Sequence, residues 1–145
     1  MNAILRRPRF ALAAVTLIAG VLALGSGMAL AAGTKVTLSG DQEVPPVNTS
    51  ASGNGTITVG DDKSVSGSVT TSGIAGMAAH IHEAAPGKNG PVAVPLTKTS
   101  DNVWSVPPGA KFSDAQYKSY KAGNLYVNVH SEAHKDGEIR GQLKL

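Results

Sequence analysis

Short segments in which polar and apolar residues alternate make up most of the sequence after residue 31. In segment 124–131, Leu125, Val127 and Val129 alternate with polar or aromatic residues, which is the two-residue period of a β-strand. Glycine, proline, asparagine and aspartate separate the segments, and these residue types favour turns. The pattern predicts an all-β fold, an antiparallel Greek-key β-sandwich of about seven or eight strands, with a barrel as the related alternative.

One short helix interrupts the predicted strands. Ser113 fits a helix N-cap with Gln116 three residues later, and Gly123 fits the residue that ends a helix after about Lys121. The only tryptophan, Trp104, is expected in the core because large aromatic side chains gain most from burial. The predicted strands cover residues 35–39, 55–59, 64–70, 77–83, 92–96, 102–106, 124–131 and 138–145.

Residues 1–31 are predicted to be a secretory signal peptide, and residues 32–145 one domain. Three arginines precede a long apolar run, and the triplet Ala29-Leu30-Ala31 fits the small-x-small rule for cleavage before Ala32. An uncleaved membrane anchor is the alternative, since the run approaches the roughly 20 residues that span a bilayer. The protein is therefore expected outside the cytoplasm, secreted or periplasmic, with membrane contact only through an uncleaved leader.

The charge and cysteine content exclude several kinds of protein. Three of the 13 basic residues lie in the leader, which leaves ten basic residues against ten acidic ones. Without a basic stripe or interleaved aromatic residues, nucleic acid is not an expected partner. The chain has no cysteine, so neither disulfides nor a lipid anchor on an N-terminal cysteine is expected.

The four histidines fall in two places along the sequence. His80 and His82 alternate on one predicted strand and therefore share a face, while His130 lies on the strand that covers residues 124–131. Antiparallel pairing of these two strands would bring the three imidazoles together. His134 follows in the next connection.

Two interpretations of these histidines remain open from the residues alone. Imidazole suits copper and zinc, and three histidines leave an open position, with His134 as a fourth, mobile ligand. This predicts a copper or zinc site at His80, His82, His130 and His134. The alternative is a structural role, in which the His80/His82 pair is hydrogen-bonded and half-buried and holds loop 86–91, and His130 stacks beside Tyr126.

Charged residues near the histidines have two candidate roles. Glu83 and Glu138 could orient a ligand imidazole, although a surface charge is the favoured role for Glu83, which lies on the opposite strand face from His82. For Arg140 an ion pair with Glu138 or Asp136 is expected. No nucleophile elbow, phosphate-binding loop or paired carboxylates are visible, so hydrolytic and nucleotide-dependent enzymes are disfavoured.

Three segments resemble one family in order and at ordinary spacing. They read LSGDQEVPPV, HIHEAAPGKNGPVAVPL and LYVNVHSEAHKDGEIRGQL, and together with Trp104 they resemble the CHRD domain. This module is named after repeats in chordin and also occurs singly in secreted bacterial proteins. The resemblance covers nearly the whole chain after the leader, and it implies an all-β extracellular domain with no established reaction. An extracellular protein is then an expected partner beside a metal ion.

The histidine pair has a second, looser resemblance. HIHE followed by a loop with Gly and Asn is similar to the copper-binding strand of Cu/Zn superoxide dismutases, which implies copper ligands at His80 and His82. His130 matches only by its order along the chain. The cysteines and the histidine-rich zinc loop of that family are absent.

Two functions follow from the sequence. The favoured one is a non-enzymatic, secreted CHRD-type binding or structural module whose histidine face contacts a metal or a partner. The alternative is a copper enzyme with superoxide dismutase-like chemistry. The module is preferred because redox turnover needs an accessible copper in a tuned pocket, and only the short His-x-His likeness points to one.

Overall fold

A computed structural model describes residues 32–145 of the chain. The predicted signal peptide, residues 1–31, lies outside the described residues. Nine strands and one α-helix occur within residues 32–145. They are β1 (Thr34–Ser39), β2 (Ser52–Val59), β3 (Val65–Ser72), β4 (Gly76–Glu83), β5 (Val92–Pro95), β6 (Thr97–Ser100), β7 (Val103–Ser105), α1 (Asp114–Lys121), β8 (Leu125–Ser131) and β9 (Ile139–Gln142).

The nine strands form one antiparallel sheet that curls back on itself. Their order is β5-β4-β8-β9-β1-β2-β3-β7-β6. The two edge strands, β5 and β6, are separated in the chain by Leu96 alone, and the Leu96 amide donates to the carbonyl of Ala79 in β4 at 2.9 Å. The two edges therefore meet, and the sheet comes close to a barrel, which leaves little free edge for pairing with other chains.

Apolar side chains on the inner face of the sheet fill its interior. Ile81 of β4 and Val127 and Val129 of β8 are fully buried, and Trp104 of β7 is 3% exposed. A Cβ added to Gly76 of β4 would lie 3.0 Å from the Trp104 ring, so β4 and β7 pack across the interior. Burying each such aliphatic side chain stabilises the fold by about 1.5–3 kcal/mol.

Helix α1 begins and ends where its sequence predicts. The Ser113 hydroxyl accepts from the Gln116 amide at 3.1 Å, and the Gln116 side chain accepts from the Ser113 amide at 2.8 Å, which forms a capping box. Gly123 follows the helix with φ +74°, a left-handed conformation that glycine adopts at low cost. The buried Tyr120 hydroxyl is hydrogen-bonded to that of Thr34 at 2.7 Å, which holds the helix against β1. In the described part of the chain, no helix has the length and apolarity needed to cross a bilayer.

The structure confirms the predicted all-β, antiparallel fold with one short helix, and it has nine strands in place of seven or eight. The additional strand is β6 (Thr97–Ser100). All four of its residues are exposed and none is a large apolar residue, so no alternation marks it in the sequence. The core position predicted for Trp104 is also confirmed.

Strand β8 is central and is covered on both faces. Its outward-facing residues Tyr126 and Asn128 are each only 2% exposed. The segment after β1 and the loop between β4 and β5 lie over this face, and they contact each other where the Asn89 amide donates to the Val44 carbonyl at 2.8 Å. The outer face of β4, β8 and β9 is therefore a partly enclosed polar site.

Candidate metal centre

The register of β4 against β8 places three histidines on one face. His80 lies opposite Asn128, and His130 lies opposite Ala78, so His80 and His130 are diagonal neighbours. Diagonal side chains across an antiparallel pair are within reach of each other when they are long or aromatic. His82 follows on the same face, two residues along β4.

The ring nitrogens of His80, His82 and His130 converge. One nitrogen from each ring lies within 4.8 Å of the other two, and His80 Nδ1 lies 3.0 Å from His130 Nε2. The centroid of the His80 ring is 5.4 Å from that of His82 and 4.9 Å from that of His130. All three side chains are half-buried. These residues are called the three-histidine cluster below.

Backbone carbonyls orient two of the three rings. The Gly90 carbonyl lies 2.8 Å from His82 Nδ1, and the Lys135 carbonyl lies 2.8 Å from His130 Nδ1. A carbonyl only accepts, so each Nδ1 carries the proton and donates it. The lone pairs of both rings are therefore on Nε2, and the opposite nitrogen of each ring is held by a hydrogen bond, as is common for metal-ligating histidines.

One ring nitrogen of the cluster makes no well-formed hydrogen bond. His82 Nε2 is buried without a hydrogen bond of good geometry, and the Asn128 side chain is the polar group that acts on this ring and raises the pKa of His82. An unsatisfied buried polar atom costs about 1–3 kcal/mol, so native proteins rarely keep one without a purpose.

Burial keeps two of the rings neutral. It lowers the pKa of His80 and of His82 below the ordinary value of 6.5, and in each case the neighbouring His130 lowers the pKa further. For His82, the bond to the Gly90 carbonyl acts in the opposite direction, and the charge of Arg140 reinforces the lowering. At neutral pH these rings are uncharged, with a lone pair on one nitrogen, which is the form that binds a metal.

A stack of side chains from β4, β8 and β9 supports His82. The Tyr126 ring lies parallel to the His82 ring, with centroids 4.9 Å apart and planes 4° apart. The Arg140 guanidinium carbon is 3.4 Å from the centre of the Tyr126 ring, which is a cation–π contact. Arg140 also donates to Asn89 Oδ1 at 3.1 Å and to the Lys88 carbonyl at 2.7 Å. The stack thereby fixes the loop that carries the Gly90 carbonyl.

A buried carboxyl lies deeper in the same face. Glu43 is 5% exposed, and its neighbours are the Asn128 amide and the Arg140 charge. Burial raises the pKa of Glu43 from 4.5 to about 7, although Arg140 and Asn128 act to lower it. Glu43 Oε1 and Asn128 Oδ1 are both buried without a partner. Gly137 makes room for them, since a Cβ there would lie 2.7 Å from Asn128 Nδ2 and its φ is +129°.

The predicted ligand positions are partly brought together. His80, His82 and His130 form the cluster, whereas His134 is not in the group of converging ring nitrogens. His134 lies in the turn after β8, where its amide donates to the Ser131 carbonyl at 3.2 Å and to the Ser131 hydroxyl at 3.3 Å. The structural role expected for the His80/His82 pair is present in part, because His82 does hold the loop at Gly90.

The charged neighbours differ from the expectations. Glu83 is half-buried and accepts from Ser119 at 2.6 Å, and Glu138 accepts from Thr49 at 2.7 Å. Backbone carbonyls, which no sequence pattern reveals, orient the imidazoles in place of these carboxylates. The ion pair expected for Arg140 with Glu138 or Asp136 was wrong, because the guanidinium points into the β4–β5 loop.

The roles of Glu43 and Asn128 were not predicted from the sequence, and the expected stacking of His130 beside Tyr126 was wrong, because the Tyr126 ring stacks on His82. Glu43 precedes two prolines and lies 37 residues before the first histidine, so nothing local connects it with the site. Tyr126 and Asn128 share the predicted strand face of His130, and that alternation was the available indication.

Comparison with known proteins gives one family. Residues 34–143 match the model of the CHRD domain, a span that runs from β1 past β9 and contains the whole three-histidine cluster. No curated protein and no solved structure gives a significant match. The looser resemblance to superoxide dismutases therefore has no support from similarity over the whole chain.

Proposed function

The chain belongs to the CHRD domain family, and we propose that it is a secreted binding or structural module whose three-histidine cluster binds one Cu(II) or Zn(II) ion. The ligand atoms would be His80 Nδ1, His82 Nε2 and His130 Nε2. In the metal-free protein His80 Nδ1 donates its proton to His130 Nε2, so metal binding would require His80 to change tautomer and carry its proton on Nε2. A fourth position would face the solvent-exposed side of the cluster and remain open to water or to a group of a partner.

The observation that carries this proposal is the convergence of the three imidazoles, with one nitrogen of each ring within 4.8 Å of the other two. The Gly90 carbonyl sets the tautomer of His82, so its Nε2 carries a lone pair and no proton. A purely structural role accounts for His82 Nδ1 and His130 Nδ1, and for the hydrogen bond between His80 and His130. It gives no reason for nitrogens of three rings to meet at one point, whereas a single metal ion does.

The spacing of the nitrogens suits one ion. Metal–nitrogen bonds of roughly 2.0–2.1 Å place two neighbouring ligand nitrogens about 2.8–3.4 Å apart in square-planar or tetrahedral geometry. His80 Nδ1 and His130 Nε2 are already 3.0 Å apart. His82 needs only a small side-chain adjustment from within 4.8 Å.

The chemistry of the ligands selects the class of metal. Three neutral imidazoles without a carboxylate suit copper or zinc, whereas calcium and magnesium prefer oxygen ligands. The lowered pKa values of His80 and His82 reduce competition from protons at neutral pH. The nearby Arg140 charge acts against a bound cation, so moderate affinity is expected.

Isothermal titration of the metal-free protein with Zn(II) and with Cu(II) tests the proposal, at neutral pH in a buffer that does not bind metal. We expect one ion per chain. His80→Ala, His82→Ala and His130→Ala should each weaken binding at least about tenfold, since even loss of an outer-shell partner costs 10–100-fold.

His134→Ala is the matched control, because it removes an imidazole that lies outside the cluster. Its affinity should equal that of the unaltered protein. Absence of heat and of bound metal in the unaltered protein would refute the proposal. Equal losses for His134→Ala and the three cluster variants would refute the assignment of the ligands.

A further inference from the structure

A β-bulge at the start of β4 turns Met77 onto the face of the histidines. Gly76 pairs with Ser131 and Ala78 pairs with His130, so Met77 is the additional residue on β4. Strict alternation would have directed Met77 inward with Ala79. Instead Gly76 takes the inner position, where the Trp104 ring leaves no room for a side chain.

Met77 is unusually exposed for a large apolar residue. Its exposed fraction is 62%, and among residues 32–145 only two other large hydrophobic residues, Val92 and Leu145, are exposed. Exposure of this side chain forgoes the burial energy that a methionine gains in a core. A strand position next to a polar site would suit threonine or serine better unless the thioether has a use.

The Met77 side chain shares a cleft with two histidines of the cluster. The cleft has a volume of about 300 Å³, and its walls include Met77, Ala78, His80, His130 and Lys135. Methionine has three rotatable side-chain bonds, and its exposure leaves Met77 free to change rotamer toward the imidazoles.

We propose that Met77 is a further ligand of the three-histidine cluster and that its thioether sulfur enables the site to hold copper as Cu(I). This inference rests on the proposed function, that the cluster binds a metal. Thioether sulfur is a soft ligand that selects Cu(I), while zinc gains little from it. The sulfur would take the fourth position, reaching it from the cleft that Met77 shares with His80 and His130.

The charges around the site favour the monovalent ion. Three imidazoles and a thioether are all neutral, so the charge of the loaded site is that of the metal alone. The Arg140 charge is felt at the site, since it lowers the pKa of His82. In the cleft, Lys135 Nζ lies 3.4 Å from Glu132 Oε1, and their charges offset each other. A single positive charge is therefore opposed less than a double one.

The test is Cu(I) affinity under anaerobic conditions, measured by competition with the chromophoric chelator bicinchoninate. The matched pair of variants is Met77→Leu, which keeps the size and removes the sulfur, and Leu145→Ala, which removes exposed apolar surface outside the cluster and its cleft. We expect Met77→Leu to weaken Cu(I) binding at least about tenfold and to change Zn(II) affinity less than about threefold. Leu145→Ala should alter neither.

X-ray absorption of the Cu(I)-loaded protein supplies a readout that a merely structural role would not change. A sulfur scatterer should be present in the unaltered protein and absent from Met77→Leu. Unchanged Cu(I) affinity in Met77→Leu, or equal loss of Cu(I) and Zn(II) affinity, would overturn the role of Met77 and leave the histidine site standing. Failure of the unaltered protein to bind any of these ions would overturn both proposals.

Discussion

Glu43→Gln is expected to make the metal-free protein more stable at alkaline pH. Burial raises the pKa of Glu43 from 4.5 to about 7 because the carboxylate loses water that Asn128 and Arg140 only partly replace. Glutamine keeps the shape and removes the titration. The prediction concerns how the free energy of unfolding changes with pH, since the uncharged amide of glutamine does not titrate in this range.

The sign and size follow from the two pKa values. Below about 4.5 the carboxyl is protonated in both the folded and the unfolded protein, and its contribution to stability is fully present. As the pH rises to about 7, the unfolded protein ionises first, and stability is lost until the folded protein ionises as well. At about 1.4 kcal/mol per pH unit, the loss reaches about 3 kcal/mol by pH 8.

Urea denaturation followed by tryptophan fluorescence measures this effect, because Trp104 is the only tryptophan and is 3% exposed. The free energy of unfolding is determined for both proteins from pH 4 to pH 8, with a chelator present. Histidine titration contributes to both proteins and cancels in their difference. The free energy of unfolding of Glu43→Gln, minus that of the unaltered protein, should therefore rise by about 3 kcal/mol across this range.

A difference that stays flat with pH would show that Glu43 is solvated or fully paired in the folded protein. A difference that falls with pH would show that the Arg140 charge dominates and lowers the pKa. Either result would contradict the account of the buried carboxyl.

Three further outcomes are expected. Ser113→Ala removes the capping box of α1 and should lower the free energy of unfolding by about 1 kcal/mol in urea, whereas no loss would show that the cap is replaced by water. Free Zn(II) at 100 times its dissociation constant should stabilise the protein by about 2.7 kcal/mol in thermal unfolding, and the same free Zn(II) should stabilise His82→Ala by no more than about 1.4 kcal/mol, which corresponds to a tenfold weaker site; an equal shift in both would place the ion elsewhere. The copper-loaded protein should dismute superoxide no faster than the same copper on a small chelator, measured by cytochrome c reduction, and a faster rate would favour the enzyme alternative.

The fold was accessible from the sequence where the signals are local. Alternation in segment 124–131 predicted β8, and the Ser113/Gln116 pair predicted the start of α1, because strand period and capping depend on neighbours in the chain. Strand β6 has neither signal, since it is polar and lies at the edge. The strand order depends on pairing between segments distant in the chain, and the bulge at Met77 accompanies the close packing of Gly76 against Trp104; no local pattern encodes either.

The candidate site was also predictable only where it depends on alternation along a strand. The His80/His82 alternation and the position of His130 on another strand predicted a shared face, and the register of β4 and β8 confirms it. His134 lies in a turn whose amide hydrogen bonds go to Ser131, and its ring is not in the cluster, which spacing along the sequence does not reveal. Arg140 has acidic neighbours in sequence, but the loop folded over β8 offers it carbonyl and amide oxygens nearby.

A crystal structure of the Zn(II)-loaded protein, with anomalous scattering at the zinc edge, tests the central claim most directly. The account predicts one strong peak bonded to His80 Nδ1, His82 Nε2 and His130 Nε2, each at about 2.0–2.1 Å. The hydrogen bond between His80 and His130 should be replaced by the metal. A peak held by other residues, or a three-histidine cluster unchanged at saturating zinc, would contradict it.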